Sequence, residues 1–257
     1  MPWFGPPGLG HSKVPEALAL VTQRAGECAC GLAQRGRNPS VPAMVETGLR
    51  AAGYRTGRYT SPHLINLRER FAIDGRAIDD ETMIAAVGEV RAVVESLLRN
   101  RVLEVQPTFF EVTTAVAFEL FRRSQIGFAI VEVGLGGRLD ATNVLSPAAC
   151  AITSIAFDHQ LYLGSTLREI ALEKAGIIKP GVPVVVGALH AEALSAIAEV
   201  ARARNAPLVQ ASLSDVAGIT KGSRSFLSSS NVGLQSVQYS NKMVRPARPA
   251  GESPGHI

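Results

Sequence analysis

Three short, unbroken apolar runs constrain the fold of this chain more than any other feature of its sequence. They are GFAIVEVGLGG, ACAITSIAFDH and GVPVVVGALH. Runs of this length without alternating polar residues are typical of parallel strands that are covered on both faces. STLREIALEKAGI, between the last two runs, predicts a helix in which Thr166 and Glu169 form a capping box. This order of elements predicts a doubly wound α/β fold with a mostly parallel sheet.

Further elements are predicted ahead of these runs. SVPAMVETGLRAAGY predicts a helix of about three turns that Ser40 can cap. RFAIDGRAI predicts two short strands joined by a turn at Asp74-Gly75. A long amphipathic helix is expected to begin at Asp79 or Asp80, and TFFEVTTAVAFELFRR predicts another helix that begins at Thr108.

Composition and charge exclude several classes of function. The formal charge of the 257 residues is +4, but residues 1–40 carry +2 and residues 211–257 carry +3, which leaves −1 for residues 41–210. The middle of the chain therefore has no charge pattern for nucleic acid. The three cysteines form no C-x-x-C pair, and no apolar run approaches the ~20 residues of a membrane helix. We expect a cytoplasmic protein that binds neither nucleic acid nor membranes.

The two ends of the chain differ from its middle. Residues 1–40 contain many prolines and glycines, and we expect them to be irregular, without a recognisable first strand. Residues 41–210 are predicted to form the α/β domain. Residues 211–257 contain ten serines and no amphipathic period, which predicts a disordered tail.

Polar side chains follow the apolar runs where the carboxyl ends of parallel strands should meet, which is where ligands bind in doubly wound folds. Glu132 ends one run, Asp158-His159 ends the next, and Ser61 lies in YTSPHL. A carboxylate, an imidazole and a hydroxyl can share one hard cation with phosphate oxygens. The alternatives are structural: Glu132 could form a salt bridge, His159 could be a hydrogen-bonded structural residue, and Ser-Pro is a common turn.

Lys174, in the apolar helix segment LEKAGI, has two interpretations. It could be a surface lysine that extends to solvent or compensates the helix C-terminus, or a lysine at a metal or phosphate site. The GLGG segment, residues 134–137, resembles the start of a dinucleotide-binding fingerprint, but Leu139 occupies the sixth position where Gly or Ala is required. This argues against a dinucleotide-binding protein.

Four stretches together resemble the folylpolyglutamate synthase and dihydrofolate synthase family of the Mur ligase superfamily. They are AAGYRTGRYTSPHLINLRERFAIDG, TFFEVTTAVAFELF, VEVGLGGRLDATNV and AITSIAFDHQLYLGSTLREIALEKAGIIKPGVPVV, in family order between about Met44 and Gly187. The resemblance implies the central domain of a Mur ligase, which is similar to a P-loop NTPase, without the family's C-terminal domain. It implies an ATP-dependent, magnesium-dependent amide ligase that acts as a monomer. The acceptor is a folate or dihydropteroate carboxylate, which becomes an acyl phosphate and then reacts with glutamate.

The resemblance also implies roles for particular residues. Ser61 and Glu132 look like ligands of one magnesium ion, and His159 looks like a ligand of a second. Lys174 matches a lysine that the family carbamylates. The pterin-bearing substrate is expected to contact Asp140 and the TFFE segment, which consists of Thr108, Phe109, Phe110 and Glu111. Phe109 and Phe110 could instead be core residues, and Asp140 could cap the following ATNV turn.

The chain departs from the family pattern at the phosphate-binding loop. Family members have Gly-Thr-Asn-Gly-Lys-Gly-Ser before the helix that here reads AMVETGLRAAGY, whereas this chain has LAQRGRNPSVP. Gly36 is the one glycine there, and Arg35 and Arg37 are a poor geometric replacement for the lysine. We therefore expect ATP binding to fail and ligase activity to be impaired.

Two explanations of these departures remain open. One is a truncated or frameshifted product, in which errors of reading frame affect the region up to about Val41 and the region from about residue 211. The other is a non-catalytic folate-binding module that has kept the pterin site.

Overall fold

A computed structural model describes residues 29–33, for which only the backbone is considered, and residues 40–211. The strands of the described part are β1 Ala29–Ala33, β2 Thr56–Tyr59, β3 Phe71–Ile73, β4 Arg76–Ala77, β5 Phe128–Glu132, β6 Ala149–Ile152, β7 Val184–Val186 and β8 Leu208–Gln210. The helices are α1 Ser40–Ala51, α2 Asp80–Arg99, α3 Phe109–Arg123, α4 Gln160–Leu163, α5 Leu167–Ala175 and α6 Ala191–Ala203. Two short 3-10 turns lie at Leu67–Arg70 and Ala141–Val144.

The eight strands form one mostly parallel sheet in the order β4-β3-β2-β5-β1-β6-β7-β8. Strands β2, β5, β1, β6, β7 and β8 are parallel neighbours, while β3 and β4 add an antiparallel hairpin at one edge. The predicted doubly wound α/β fold is confirmed. Because the carboxyl ends of parallel strands share one edge, the segments that follow β2, β5 and β6 meet there.

The prediction that residues 1–40 are irregular is wrong for Ala29–Ala33. These residues form β1, which lies between β5 and β6 and pairs in parallel with both, at Leu32 with Glu132 and at Ala33 with Ile152. Strand β1 therefore occupies the position between β5 and β6 in the middle of the sheet. The predicted irregular remainder, the phosphate-loop segment 34–39 and the predicted tail from residue 212 lie outside the described residues.

Helices α1 and α3 cover opposite faces of strand β2. On one face, Thr56 and Arg58 contact Glu46 of α1. On the other face, Tyr59 hydrogen-bonds Thr113 of α3 at 2.9 Å. Successive side chains of a strand alternate between the two faces of a sheet, so these contacts place one helix on each side. This is the double coverage that the apolar strands require.

Several local predictions are confirmed. The hairpin turns at Asp74 and Gly75, both with positive φ, and Asp79 caps α2. The capping boxes that begin at Thr108 and Thr166 are both formed. Within the described residues, the helices are too short or too polar to span a bilayer.

Candidate functional site

The site begins where Ser61 meets Glu132. Strand β2 pairs in parallel with β5, and their carboxyl ends bring the backbone N–H of Ser61 to 3.0 Å from Glu132 Oε2, to which it donates a hydrogen bond. Glu132 is almost completely buried, at 3% exposure. A buried carboxylate is normally held by hydrogen bonds or cations. The predicted proximity of these two residues is present.

His159 lies on the segment that follows β6, at a left-handed residue (φ 47°) directly before the short helix α4. Its side chain is largely exposed, and its Nε2 lies 3.7 Å from Asp158 Oδ1. Strand β6 ends at Ile152, so His159 is farther along the chain from its strand than the apolar run indicates. Among residues 40–211, no three side chains of His, Cys, Asp or Glu form a cluster that could hold a metal.

This donor set fits magnesium better than a metal that needs a complete protein cage. Magnesium is usually held by one or two carboxylates, while substrate phosphates and water supply the other ligands. The buried Glu132 with the adjacent Ser61 supplies oxygen donors at the ends of β5 and β2, and the exposed His159 supplies a nitrogen donor after β6, on the other side of β1. These residues therefore fit an ion that is completed by a phosphorylated ligand.

Lys174 lies on α5 and is buried, with 6% of its surface exposed. Burial lowers the pKa of its ammonium group, and the negative charges of Asp158 and Asp140 act in the opposite direction. A buried lysine with a lowered pKa has a larger neutral fraction, and the neutral amine is the reactive form. The position is inconsistent with a surface lysine that extends to solvent.

The glycine segment after β5 packs directly on α3 and α5. A Cβ atom at Gly137 would lie 2.8 Å from the carbonyl oxygen of Lys174, and one at Gly134 would lie 2.4 Å from Cζ of Phe110. Arg138 donates its backbone N–H to the Glu173 carbonyl oxygen at 2.9 Å and forms a 2.9 Å ion pair with the Glu173 carboxylate. Glycine is required here by close packing rather than by a dinucleotide.

The carboxylate of Asp140 also fixes the glycine segment after β5 through hydrogen bonds. Its Oδ2 accepts hydrogen bonds from the backbone N–H groups of Gly134 and Leu135, at 3.0 and 2.9 Å. Its Oδ1 accepts from the backbone and hydroxyl of Thr142, at 3.0 and 2.5 Å. Burial raises the pKa of Asp140, although these hydrogen bonds oppose the rise. The carboxylate thus caps the turn that follows it, and four donors occupy its oxygens.

The four residues of the TFFE segment are not equivalent. Thr108 and Glu111 form the capping box of α3, with 2.7 Å between the Thr108 nitrogen and Glu111 Oε2. Phe110 packs against the hydrophobic core. Phe109 is 48% exposed, so its ring is the one that a ligand can reach most readily.

Two further residues at this site, Arg70 and His63, have no role in the sequence interpretation. Arg70 is buried and donates from Nε to His63 Nδ1 at 2.9 Å. Its guanidinium carbon lies 5.4 Å from the centre of the Phe109 ring. In the sequence, Arg70 stands in the charged stretch LRER, which reads as an exposed turn, so no signal marks it as buried.

Comparisons with known proteins agree with the resemblance. No protein-family model matches the chain. It is 40% identical over 202 residues to a dihydrofolate synthase/folylpolyglutamate synthase of Bacillus subtilis, a match that covers 78% of this chain and 46% of that protein. It is 43% identical over 150 residues to a folylpolyglutamate synthase of Lacticaseibacillus casei, which covers 58% and 35%. The chain thus spans about half the length, or less, of the curated relatives it matches.

Solved structures give the same result. An FPGS-AMPPCP-folate complex superimposes with a TM-score of 0.73 at 34% identity, over 77% of this chain and 48% of that one. E. coli FolC in complex with DHPP and ADP has a TM-score of 0.69 at 34% identity, over 79% and 47%. Sequence and structure comparisons agree over about three quarters of this chain, and the chain belongs to the folylpolyglutamate synthase and dihydrofolate synthase family.

Proposed function

We propose that this chain carries the folate-binding and magnesium-binding half of an ATP-dependent amide ligase. Such an enzyme joins glutamate to a folate or dihydropteroate carboxylate through an acyl phosphate. The observation that carries the proposal is the meeting of Ser61 and buried Glu132 at the strand ends beside β1. Relatives described as bound to AMPPCP and folate, or to DHPP and ADP, support this assignment. We further propose a monomeric, cytoplasmic protein.

In this proposal the protein's residues supply charge and position. Glu132 and Ser61 would hold one magnesium ion and His159 a second, and these ions would neutralise phosphoryl oxygens during transfer. Phe109 and the rest of the TFFE segment, Thr108, Phe110 and Glu111, would line the pterin site together with the segment that Asp140 holds. The chemistry needs orientation and charge neutralisation more than an acid or a base.

Lys174 is proposed to act as a carbamate. Its ammonium group would first release a proton, and the neutral amine would then attack carbon dioxide, form an N–C bond and release a second proton, so that a cation becomes an anion. The lowered pKa of Lys174 favours this reaction. An anion next to the metal-binding residues would support divalent cations, whereas an ammonium would repel them.

We propose that ATP binding is weak in this chain while binding of the folate-type ligand is kept. Segment 34–39 joins β1 to α1 and has no lysine and one glycine. A phosphate loop needs backbone N–H groups that face the phosphates and a lysine that neutralises them. In this proposal the chain keeps binding of the folate-type ligand and loses strong binding of ATP.

Calorimetry on the 257-residue chain tests both parts. We expect dihydropteroate to bind, AMPPCP with magnesium to show no measurable binding, and no ATP-dependent addition of glutamate to occur. Electron paramagnetic resonance of Mn²⁺ should detect a site that Glu132→Gln removes, whereas Glu95→Gln, on an exposed helix surface, should leave it unchanged. Absence of dihydropteroate binding would contradict the ligand assignment, and measurable ligation would contradict the impairment.

A further inference from the structure

Arg70 is a buried cation to which the described part of the chain offers no carboxylate partner. It is 7% exposed, and within residues 40–211 no acidic oxygen lies within 4.0 Å of its guanidinium nitrogens, since it is absent from every ion pair there. Arg58 and Arg68, by contrast, pair with Glu46 at 2.7 Å and with Asp80 at 3.0 Å. Buried charges are normally paired because an isolated buried charge is costly.

Within residues 40–211, Arg70 contacts a histidine and an aromatic ring. Nε donates to His63 Nδ1 at 2.9 Å, and the guanidinium lies 5.4 Å from the centre of the Phe109 ring. Burial raises the pKa of Tyr59, and this rise is opposed by hydrogen bonds with Thr113 and Thr114 and by the charge and a hydrogen bond of Arg70. These neighbours fix the orientation of the guanidinium, but they do not neutralise it.

Arg70 lies between the two parts of the proposed site. Its carbonyl oxygen accepts a hydrogen bond from the backbone N–H of Thr60 at 3.0 Å. The next residue, Ser61, donates its N–H to Glu132. On the other side, the half-exposed Phe109 opens the TFFE helix. An anion paired with Arg70 would therefore be close to both the magnesium-binding pair and the aromatic segment.

We infer that Arg70 is the carboxylate receptor of this site and binds the carboxylate of an acceptor ligand whose aromatic part contacts Phe109. The inference rests on the proposed function, which requires a carboxylate beside the phosphoryl donor. Arginine suits this role because its planar fork matches two carboxylate oxygens, and the hydrogen bond to His63 uses only the Nε donor. Pairing with the ligand would remove the unfavourable burial of an isolated charge.

The test compares a charged ligand with a neutral one. Calorimetry is performed on the full chain with dihydropteroate and with its uncharged carboxamide. Arg70→Gln should weaken binding of the carboxylate about 10- to 100-fold, the range for a hydrogen bond to a charged group. It should leave binding of the carboxamide unchanged. The matched control is Arg68→Gln, on the same 3-10 turn but already paired with Asp80, which should affect neither ligand.

Folding is controlled by circular dichroism and by a second variant, Arg70→Lys. That variant keeps the charge but loses the fork, so it should bind the carboxylate more weakly than wild type and more tightly than Arg70→Gln. Equal weakening of the carboxylate and the carboxamide in both variants would mean that Arg70 only supports the structure. That result overturns the inference, as does a carboxylate preference that is unchanged by either substitution.

A smaller probe pair separates this inference from the proposed function. Benzoate and benzamide are titrated while the ¹H–¹⁵N resonance of Arg70 Nε is followed by NMR. If benzoate shifts this resonance and benzamide does not, while dihydropteroate does not bind, the receptor is supported and the folate-type assignment fails. If dihydropteroate binds but no probe shows a preference for carboxylate over carboxamide that depends on Arg70, the folate-type assignment stands and the role of Arg70 as carboxylate receptor is overturned.

Discussion

The connections that follow the two central strands, β1 and β5, differ in whether their sequence is required by the fold or by a ligand. The strands are parallel neighbours, so both connections leave the sheet at the same edge. Residues 133–139, after β5, are fixed by close backbone packing on α5 and by the carboxylate of Asp140. Residues 34–39, after β1, have one glycine and no lysine, unlike the family loop, and yet β1 and α1 form on either side.

This difference separates two reasons why a loop sequence is retained. After β5, Gly134, Gly137 and Asp140 are required by the fold itself, because Gly134 packs on the Phe110 ring, Gly137 packs on backbone atoms of α5, and Asp140 binds backbone N–H groups of this segment and of the following turn. After β1, the family sequence serves a phosphate ligand, and the strand and helix do not require it. A chain can therefore keep the fold and lose a ligand.

The strongest way to break this comparison is to restore the loop. Replacement of residues 34–39 by Gly-Thr-Asn-Gly-Lys-Gly, ahead of Ser40, should increase the affinity for AMPPCP with magnesium about 1,000-fold, equivalent to ~4 kcal/mol. Several backbone N–H groups and a lysine would then face the phosphates. Calorimetry measures the affinity. The same exchange with methionine in place of the lysine is the control, and an unchanged affinity in the lysine variant would contradict the comparison.

Removal of the Asp140 carboxylate should damage the fold. Asp140→Ala leaves four donors without their acceptor, and we expect the free energy of unfolding to fall by about 2–3 kcal/mol. Urea unfolding measures the change. Asp79→Ala, which removes an exposed helix cap with one such hydrogen bond, should cost about 1 kcal/mol. Equal costs for the two variants would show that Asp140 does not hold the segment after β5.

A single methyl group should distinguish packed glycine from free glycine. Gly137→Ala places a Cβ atom 2.8 Å from a backbone oxygen of α5, and we expect a loss of about 1–2 kcal/mol from the resulting strain. Gly48→Ala, in α1 with no atom within 4 Å of the added Cβ, should instead stabilise by about 0.5–1 kcal/mol. Chemical unfolding of both variants decides this, and the same sign of change for both would refute the packing argument.

The smallest effect concerns Lys174 beneath the segment after β5. Burial places the pKa of Lys174 in the folded chain below its unfolded value of 10.5. Between the folded and the unfolded pKa, the unfolded chain binds more protons than the folded chain, so the stability of the wild type should rise with pH in that window. Lys174→Met should remove this rise and add about 1 kcal/mol at pH 7. Urea unfolding between pH 7 and about 10.5 provides the test. Lower stability of the variant at every pH would show that the charged form is favoured by the fold.

Much of the fold could be predicted because local and global preferences agree. The apolar runs gave the parallel strands, and the capping boxes at Thr108 and Thr166 gave the starts of two helices. Strand β1 was missed because ACGLA contains no β-branched residue and includes a glycine. Its extended conformation depends on pairing with β5 and β6 on both sides, which a local pattern does not contain.

The site was predictable only where residues stand at strand ends. Ser61 and Glu132 do so, and their contact follows from the parallel sheet. Arg70 was missed because its burial results from the chain after β2 folding back towards α3. Phe109 and Phe110 are adjacent and chemically identical, and only packing determines that one is core and the other is exposed.

The position of β1 has a consequence for the order of events during synthesis. This strand leaves the ribosome well before its partners, which begin at Phe128 and Ala149. At roughly 5–20 residues per second, about 5–20 s pass before the second partner exists. Through that interval the backbone groups of a central strand stay unpaired and available to other chains. Strand β1 thus pairs only after a long part of the chain has been synthesised, and expression of this protein should depend on chaperones that protect nascent chains.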